Sequence, residues 1–301
     1  MSPSDSSAVH TERAYAKVNL LLRILARETT GYHGIETLFQ RLALHDVVRV
    51  QVSDAPSTLT CHGPTMPAAG LGPVEQNLAW RAAAAYTTAA GWDTGWQIDI
   101  EKHIPVGGGL GGGSADAAAV LRAMEAQCPT PLGVPRLLEI AGTLGADVPF
   151  FVSGHALAWA WGRGDRLLPL PPLPAADVTL VVFDDGVNTG AAYGAFARAR
   201  AARGDAVQAA VYPPEAFASW ASIATLAAND FESVVPDLHE GVRTLLPQVR
   251  ACAHALREAG VPAVGMMSGS GATCFVATPT GAPVSLALSA GARLVTTQTA
   301  A

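Results

Sequence analysis

The stretch PVGGGLGGGSADAA, residues 105–118, is the most informative part of this sequence. Its six glycines, interrupted by one leucine, leave backbone N–H groups uncovered by side chains. Ser114 then opens an alanine-rich run, 115–124, that predicts a helix. Amide donors at a helix N-terminus carry about half a positive charge, and glycine allows the φ > 0 geometry that turns successive N–H groups inward. The stretch therefore predicts a phosphate cradle followed by a helix.

Other interpretations of this loop fit less well. Gly107, Gly109 and Gly112 match G-x-G-x-x-G, but the acidic residue expected about 20 positions later is missing, since Glu125 falls inside the predicted helix. A Walker loop fails because no Gly-Lys-Ser/Thr ends the stretch. A flexible linker would not be followed at once by an apolar helix. The residues predicted to form the cradle are Pro105, Gly107, Gly108, Gly109, Leu110, Gly111, Gly112, Gly113 and Ser114.

Composition limits the possible function classes. The chain has 301 residues, of which 50% are hydrophobic and 15% charged, so about two domains with separate cores are expected. A net charge of −6 and a pI near 5.7 argue against nucleic-acid or anionic-membrane partners, which need a basic field. A phosphorylated small molecule is still allowed, because backbone amides and a helix dipole can hold phosphate locally.

Cysteine spacing and hydropathy point to a soluble cytoplasmic protein. The four cysteines, Cys61, Cys128, Cys252 and Cys274, lack CxxC or CxxH spacing, so neither a zinc site nor a disulfide framework is predicted, and no metal-ligating side chains are assigned. No uninterrupted apolar run reaches about 18 residues. Residues 1–12 form a polar tail rather than a signal peptide.

The first half of the chain predicts mixed strands and helices. Residues 13–25 read as a strand that carries Lys17 and Asn19 on one face, by the period of two. A turn at 28–31 follows, then a segment at 35–44, a strand at 47–52 and a loop or irregular hairpin at 54–76. Asn77 is expected to cap a helix over 78–90, and a strand over 96–102 leads into the glycine stretch.

The second half predicts more helices. A proline-rich connector at 169–174 suggests a boundary between domains at 10–168 and 175–285. The turn Ser268-Gly269-Ser270-Gly271 can approach a ligand with bare amides, whereas Asn229-Asp230-Phe231-Glu232 is interpreted as a helix cap. The tail from Gly281 carries no prediction. Helices are predicted at 131–144, 189–203, 214–226, 230–236 and 241–259, and strands at 155–161, 178–184 and 272–278.

Several of these motifs together resemble the GHMP kinase superfamily. Lys17 with Asn19, the glycine stretch, Gly-Ala-Asp-Val-Pro at 145–149 and the turn at 268–271 have its order and spacing, over nearly the whole chain. Gly31-Tyr32-His33, followed by Glu-Thr-Leu-Phe-Gln at 36–40, is similar to the branch whose substrate carries a cytidine diphosphate group. Tyr15 departs from the proline that is common in the family.

The resemblance implies a fold, a reaction and its cofactors. The fold would be α+β, a two-domain GHMP kinase fold with a ribosomal protein S5 domain 2-like ATP-binding domain and a ferredoxin-like substrate-side domain. The reaction would be ATP-dependent phosphorylation of the 2-hydroxyl of a cytidine diphosphate-linked methylerythritol in the non-mevalonate route to isopentenyl diphosphate. The expected cofactors are ATP and Mg²⁺. The expected partner is this small molecule, without nucleic acid or membrane, and the expected state is a monomer or weak homodimer.

The chemistry of the residues agrees with a kinase. Phosphoryl transfer to an alcohol needs a phosphate cradle, a metal ion and a base near the acceptor hydroxyl. Asp147 follows an Ala-Gly turn and precedes Val-Pro-Phe-Phe, so it is the candidate base, although an Asp that caps a turn before proline is the simpler structural reading. By the resemblance, Lys17 is its catalytic partner, which keeps Asp147 ionised or stabilises the developing alkoxide.

The resemblance also implies a substrate site. Tyr32 would stack on cytosine, His33 would hydrogen-bond to its edge, and Tyr193 would cover its second face. The segment 190–192, next to Tyr193, differs from the residues usual in the family. Ser114 would bind a phosphate oxygen or magnesium, or only cap the helix. The substrate residues are Asn19, Tyr32, His33, Asp147, Thr189 and Tyr193.

Two rival functions follow from the same motifs. Another GHMP kinase, acting on homoserine, mevalonate or a sugar, is disfavoured by Gly31-Tyr32-His33, because those substrates have no base to stack. A non-catalytic ligand sensor with the same fold is disfavoured because both Lys17 and Asp147 are present.

Overall fold

The computed structural model describes residues 9–27, 33–204, 210–279, 281–288 and 291–300. The strands in these ranges are β1 (His10–Arg27), β2 (His33–Ser53), β3 (Thr58–His62), β4 (Gly95–Glu101), β5 (Leu157–Gly162), β6 (Arg166–Leu170), β7 (Ala176–Phe183), β8 (Ala228–Asn229), β9 (Val264–Met267), β10 (Cys274–Pro279) and β11 (Ala292–Gln298). The helices are α1 (Leu78–Ala90), α2 (Gly112–Gln127), α3 (Val134–Leu144), α4 (Val148–Ser153), α5 (Thr189–Arg203), α6 (Trp220–Leu226), α7 (Val235–Leu238) and α8 (Glu240–Glu258).

The sequence around the glycine stretch folds largely as its pattern predicts. The Asn77 side chain accepts a hydrogen bond of 2.9 Å from the Ala79 N–H, and α1 ends at Gly91 in the left-handed conformation. Helix α2, however, begins at Gly112, with Gly111 at the N-cap position. Ser114 is therefore the third residue of the helix and not its cap, because the positive φ of Gly111 lets the helix start earlier.

The described chain divides into two compact units, and the described residues of the first are 9–16, 44–106 and 111–154. In it, β4 pairs antiparallel with residues 47–53 of β2 and parallel with β3. Helix α2 buries almost every residue from Ala115 to Met124. Buried alanines on α1 and α2 allow the two helices to pack closely, so small side chains form much of the core of this unit.

The second unit comprises the described residues within 17–43, 107–110 and 155–300. It contains a four-stranded antiparallel sheet with the order β11-β7-β10-β9. Here too, β5 pairs with residues 35–40 of β2, and β8 pairs parallel with β1 at Leu21 and Leu22. A buried cluster that includes Val249, Met267 and Val276 joins α8 to this sheet.

Several elements differ from the sequence prediction. Residues 33–53 form one strand rather than a segment and a strand. Its first half pairs with β5 and its second half with β4, so both halves are held in extended conformation. Strand β6 occupies part of the predicted connector, and its Pro169 is tolerated because, in the described part of the chain, β6 pairs with β5 alone. Strands β3 and β11 were not predicted, and β11 lies in the tail beyond residue 285.

Helix boundaries differ where prolines occur. Helix α3 begins at Val134 rather than at 131 and carries Pro135 in its first turn, where a missing N–H costs nothing. The predicted helices at 214–226 and 230–236 each consist of a short 3₁₀ segment followed by a helix. The predicted turn at 28–31 lies outside the described residues.

Gly265 on β9 tests how tightly α8 packs on the sheet. A Cβ atom at Gly265 would lie 2.1 Å from the Val249 carbonyl oxygen, which is backbone and cannot rotate away. We expect Gly265→Ala to lower the free energy of unfolding by about 1–3 kcal/mol through overpacking. Gly142 on α3 has nothing within 4 Å of the same position, so Gly142→Ala is the matched control and should be neutral or stabilising. Urea unfolding of both variants measures the difference, and equal stabilities would contradict the packing argument.

Candidate active site

Lys17 lies on β1 and is 97% buried, with 3% of its surface exposed. Its Nζ donates hydrogen bonds to Asn19 Oδ1 at 2.7 Å and to the Gly109 carbonyl oxygen at 2.9 Å. The same Nζ lies 5.5 Å from the centre of the Phe39 ring, a cation–π distance. A buried ammonium needs such partners, because an unpaired charge away from water is costly. Lys17 is therefore held in one position next to the glycine stretch.

Asn19 is itself held by a residue that the sequence did not single out. Its Nδ2 donates to Thr37 Oγ1 at 2.7 Å, and the Thr37 hydroxyl donates to the Leu21 carbonyl oxygen at 2.7 Å. Thr37 belongs to the segment 36–40, which carries part of the family resemblance. That resemblance was the sequence signal that could have identified Thr37 as a site residue. Its hydroxyl determines which way the Asn19 amide points.

Gly109 adjoins the turn at 268–271. The Ser268 hydroxyl donates to the Gly109 carbonyl oxygen at 3.0 Å. A Cβ atom on Gly109 would lie 2.3 Å from the Ser268 carbonyl oxygen, and the φ of Gly109 is +77°. Glycine is therefore required here for both conformation and close approach. The two small-residue motifs, predicted separately, meet at this residue.

Asn229 has two roles. Its side chain accepts a hydrogen bond from the Phe231 N–H at 3.0 Å, which confirms the cap interpretation. Its Nδ2 also donates to the carbonyl oxygens of Met267, at 2.9 Å, and Gly269, at 2.8 Å. Because Asn229 is buried, these bonds hold the turn at 268–271 in position from the protein interior. No local sequence pattern indicates this second role.

Three further predicted residues lie in the second unit. The rings of His33 and Tyr193 stack with centres 5.1 Å apart and planes 15° apart, and Tyr193 also packs edge-on against Phe231. Thr189 opens α5, and its hydroxyl lies 2.8 Å from the Ser270 hydroxyl. Tyr32 lies outside the described residues. The structure thus brings His33 and Tyr193 together, and Thr189 to the turn at 268–271.

Asp147 and Ser114 lie in the first unit. Asp147 immediately precedes α4, whose residues from Val148 to Val152 are buried, and its side chain makes no capping hydrogen bond to that helix. Capping therefore does not explain this carboxylate. A Cβ on Gly145 would lie 3.9 Å from Ser114 Oγ, so the turn that leads to Asp147 adjoins the first turn of α2.

A buried charged cluster adjoins the glycine stretch, and the sequence did not predict it. Lys102 Nζ donates to Asp46 and, at 2.6 Å, to Asp116 on α2. Burial raises the pKa of Asp116 to about 7, and the Asp46 carboxylate adds to this rise, whereas Lys102 opposes it. Burial alone would lower the pKa of Lys102, but the two carboxylates outweigh it and raise that pKa.

The glycine stretch fits a nucleotide phosphate. Gly107, Gly109 and Gly111 all have positive φ, between +76° and +77°, and α2 begins without a side-chain cap. Uncapped N–H groups at the start of a 16-residue helix suit an anion. Among the described residues, no group of three or more His, Cys, Asp or Glu side chains could hold a metal ion. Mg²⁺ commonly binds through substrate phosphates and water with few protein ligands.

Comparison with known proteins decides the family. The family model for the GHMP kinases N terminal domain matches residues 77–155. A 4-diphosphocytidyl-2-C-methyl-D-erythritol kinase from Desulfitobacterium hafniense is 37% identical over 266 residues, covering 87% of this chain and 84% of that protein. A protein of the same name from Geobacter metallireducens is 36% identical, covering 88% of each. The chain belongs to this kinase family.

Solved structures agree with the family. A crystal structure of a 4-(cytidine 5'-diphospho)-2C-methyl-D-erythritol kinase matches with a TM-score of 0.67 at 32% identity, covering 96% of this chain and 98% of that one. The mevalonate kinase of L. major matches with a TM-score of 0.62 at 11% identity, covering 99% and 98%, and shares the fold alone. The predicted α+β GHMP kinase fold is confirmed. None of the described helices is long and apolar enough to cross a bilayer.

Asp116 gives the kinase a testable pH dependence of stability. The raised pKa means that the folded protein keeps a proton on Asp116 that the unfolded chain releases above its ordinary pKa of 3.8. The free energy of unfolding therefore falls as pH rises from about 4 to 7. Asp116→Asn lacks this term, so its Tm should rise relative to wild type between about pH 5 and pH 8. Asp93→Asn, at an exposed carboxylate, is the control. A Tm difference that does not change with pH would contradict the raised pKa.

Proposed function

We propose that this chain transfers the γ-phosphoryl group of ATP to the 2-hydroxyl of 4-(cytidine 5'-diphospho)-2-C-methyl-D-erythritol, in the non-mevalonate pathway to isopentenyl diphosphate. Family membership makes it a small-molecule kinase, a phosphotransferase with an alcohol acceptor that uses ATP. The observation that supports the residue assignment is the buried Lys17 ammonium, held by Asn19 and by a carbonyl oxygen of the glycine stretch.

In this proposal, Asp147 and Lys17 perform the proton chemistry. The Asp147 carboxylate accepts the proton of the 2-hydroxyl as that oxygen attacks the γ-phosphorus. The Lys17 ammonium keeps Asp147 ionised and stabilises negative charge on the attacking oxygen. The backbone N–H groups of 107–113 hold the nucleotide phosphates, and Ser114 supports them with its hydroxyl. Mg²⁺, when bound with ATP, would supply additional neutralisation of the phosphate charge.

The cytidine group is proposed to bind at the aromatic residues. Tyr193 and Tyr32 would cover the two faces of cytosine, His33 would hydrogen-bond to its edge, and Thr189 would contact the substrate. The contact between the His33 and Tyr193 rings supports this proposal, because a single base could then reach both side chains. Asn19 orients Lys17 and completes the substrate site.

Organisation and location are proposed on the same basis. We assign ATP binding to 10–168, which contains the matched family region 77–155, and the second domain to 175–285. A cytoplasmic location is part of this proposal, and a pI near 5.7 argues against nucleic-acid partners. A monomer or weak homodimer is expected, and sedimentation would test this.

Asp147→Asn tests the catalytic base. The amide cannot accept the hydroxyl proton, so kcat should fall by about two to four orders of magnitude, the range for a positioned base. Folding and ATP binding should stay near those of wild type, since Asn has nearly the size and shape of Asp. Asp93→Asn, in the same unit, is the control and should keep full turnover. Near-normal turnover by folded Asp147→Asn would remove Asp147 from the mechanism.

Tyr193→Ala tests base recognition. Loss of a base–aromatic stack costs about 1–3 kcal/mol, so kcat/KM for the cytidine substrate should fall roughly 5- to 150-fold. The KM for ATP should change little, and Tyr193→Phe, which keeps the ring, should retain most activity. Wild type should show a matching loss with methylerythritol phosphate that lacks the nucleotide. Equal activity on both substrates would instead favour another GHMP kinase function.

A further inference from the structure

The residues that lead into the glycine stretch are hydrogen-bonded to the buried carboxylate of Asp46. Asp46 Oδ1, on β2, accepts hydrogen bonds from the backbone N–H groups of His103, at 2.5 Å, and Ile104, at 2.7 Å. These two residues follow the last residue of β4 after Lys102 and directly precede Pro105. Asp46 therefore fixes the point at which the chain leaves the sheet for the glycine stretch.

The residues that follow the glycine stretch are tied to the same carboxylate through Lys102. Lys102 Nζ donates to Asp46 and to Asp116, which is the fifth residue of α2. A Cβ on Gly112 would lie 3.2 Å from the Ile104 side chain and 3.6 Å from Lys102 Nζ. The start of α2 thus packs directly on the end of β4, and one ammonium links the two.

The burial of this cluster argues for a role other than stability. The side chains of Lys102, Asp46 and Asp116 are 3%, 0% and 6% exposed. One cation faces two carboxylates, and Asp116 Oδ1 lacks a hydrogen-bond partner in the described part of the chain. Buried ion pairs often stabilise no more than apolar residues would, and their best-attested use is to fix a particular geometry. The reaction assigned above uses none of these three side chains.

We infer that the Asp46, Lys102 and Asp116 side chains position the glycine stretch for ATP, by fixing the distance between the chain that enters it and the helix that leaves it. Asp116 is then a positioning residue for the nucleotide, acting through Lys102 and the first turn of α2. This inference rests on the proposed role of the glycine stretch in holding ATP phosphates.

Asp116→Ala tests the inference. Alanine favours the helix and leaves Lys102 and Asp46 as a neutral pair, so the variant should fold. The Kd for ADP, by calorimetry, and the KM for ATP should each rise about tenfold, near the lower end of the loss expected for a hydrogen bond to a charged group. The KM for the cytidine substrate and kcat at saturating ATP should stay within about twofold, since the rest of the site does not depend on this bond.

Two variants on α2 separate positioning from general stability. Asp116→Asn keeps an acceptor for Lys102 and should bring the ADP Kd back to within about threefold of wild type, because a neutral acceptor bonds about half as strongly. Glu125 lies on the same helix and accepts hydrogen bonds from Tyr86 and from the N–H groups of Leu132 and Gly133. Glu125→Gln should lower Tm and leave the ADP Kd unchanged.

The outcomes are distinct. Wild-type ADP affinity in Asp116→Ala, or an equal loss in Glu125→Gln, would overturn the inference. Should Asp116→Ala fail to fold, Asp116→Leu carries the same expectation, because its side chain is close in size to that of Asp and offers Lys102 no acceptor. ADP binding does not depend on the alcohol substrate. If the wild-type protein binds ADP but does not phosphorylate the cytidine substrate, the proposed function is refuted. The role of Asp116 in nucleotide binding can still be tested by the ADP Kd.

Discussion

The carbonyl oxygen of Gly109 accepts hydrogen bonds from Lys17 Nζ, at 2.9 Å, and from the Ser268 hydroxyl, at 3.0 Å. The backbone N–H of Lys17 also donates to the Leu110 carbonyl oxygen, at 2.9 Å. A strand, the glycine stretch and the turn at 268–271 thus meet through main-chain oxygens that mutation cannot remove. The position of the Lys17 ammonium therefore depends on the path of the loop, and only glycine allows that path at residue 109.

Each polar side chain that supports this arrangement is hydrogen-bonded to backbone or to another supported side chain. Thr37 holds Asn19 and is held by the Leu21 carbonyl oxygen, while Asn229 is bonded to three backbone groups. Buried networks with satisfied donors and acceptors are rigid, because any rotation leaves a polar atom without a partner in a low-dielectric interior. Phosphoryl transfer is catalysed mainly by positioning and electrostatics, so such rigidity suits a kinase.

The sequence predicted what depends on local pattern and missed what depends on distant partners. The cap at Asn77, the strand face that carries Lys17 and Asn19, and the glycine stretch each have a signature within a few residues. Lys102 and Asp46 are 56 residues apart, and neither has a local context that distinguishes it from an ordinary surface charge. Strands β6 and β11 were missed for the same reason, since their pairing with β5 and β7 determines them more than their composition does.

The glycines near the site act for different physical reasons, which composition alone cannot separate. Gly111 has a φ of +76°, so its role is conformational: it ends the loop in a shape from which α2 can start. Gly112 has ordinary helical geometry, and its lack of a side chain matters because Ile104 and Lys102 lie where a Cβ would point. A side chain at Gly111 would therefore strain the backbone, whereas one at Gly112 would push α2 away from the end of β4. The proposed phosphate cradle needs both constraints, because amide direction depends on the first and helix position on the second.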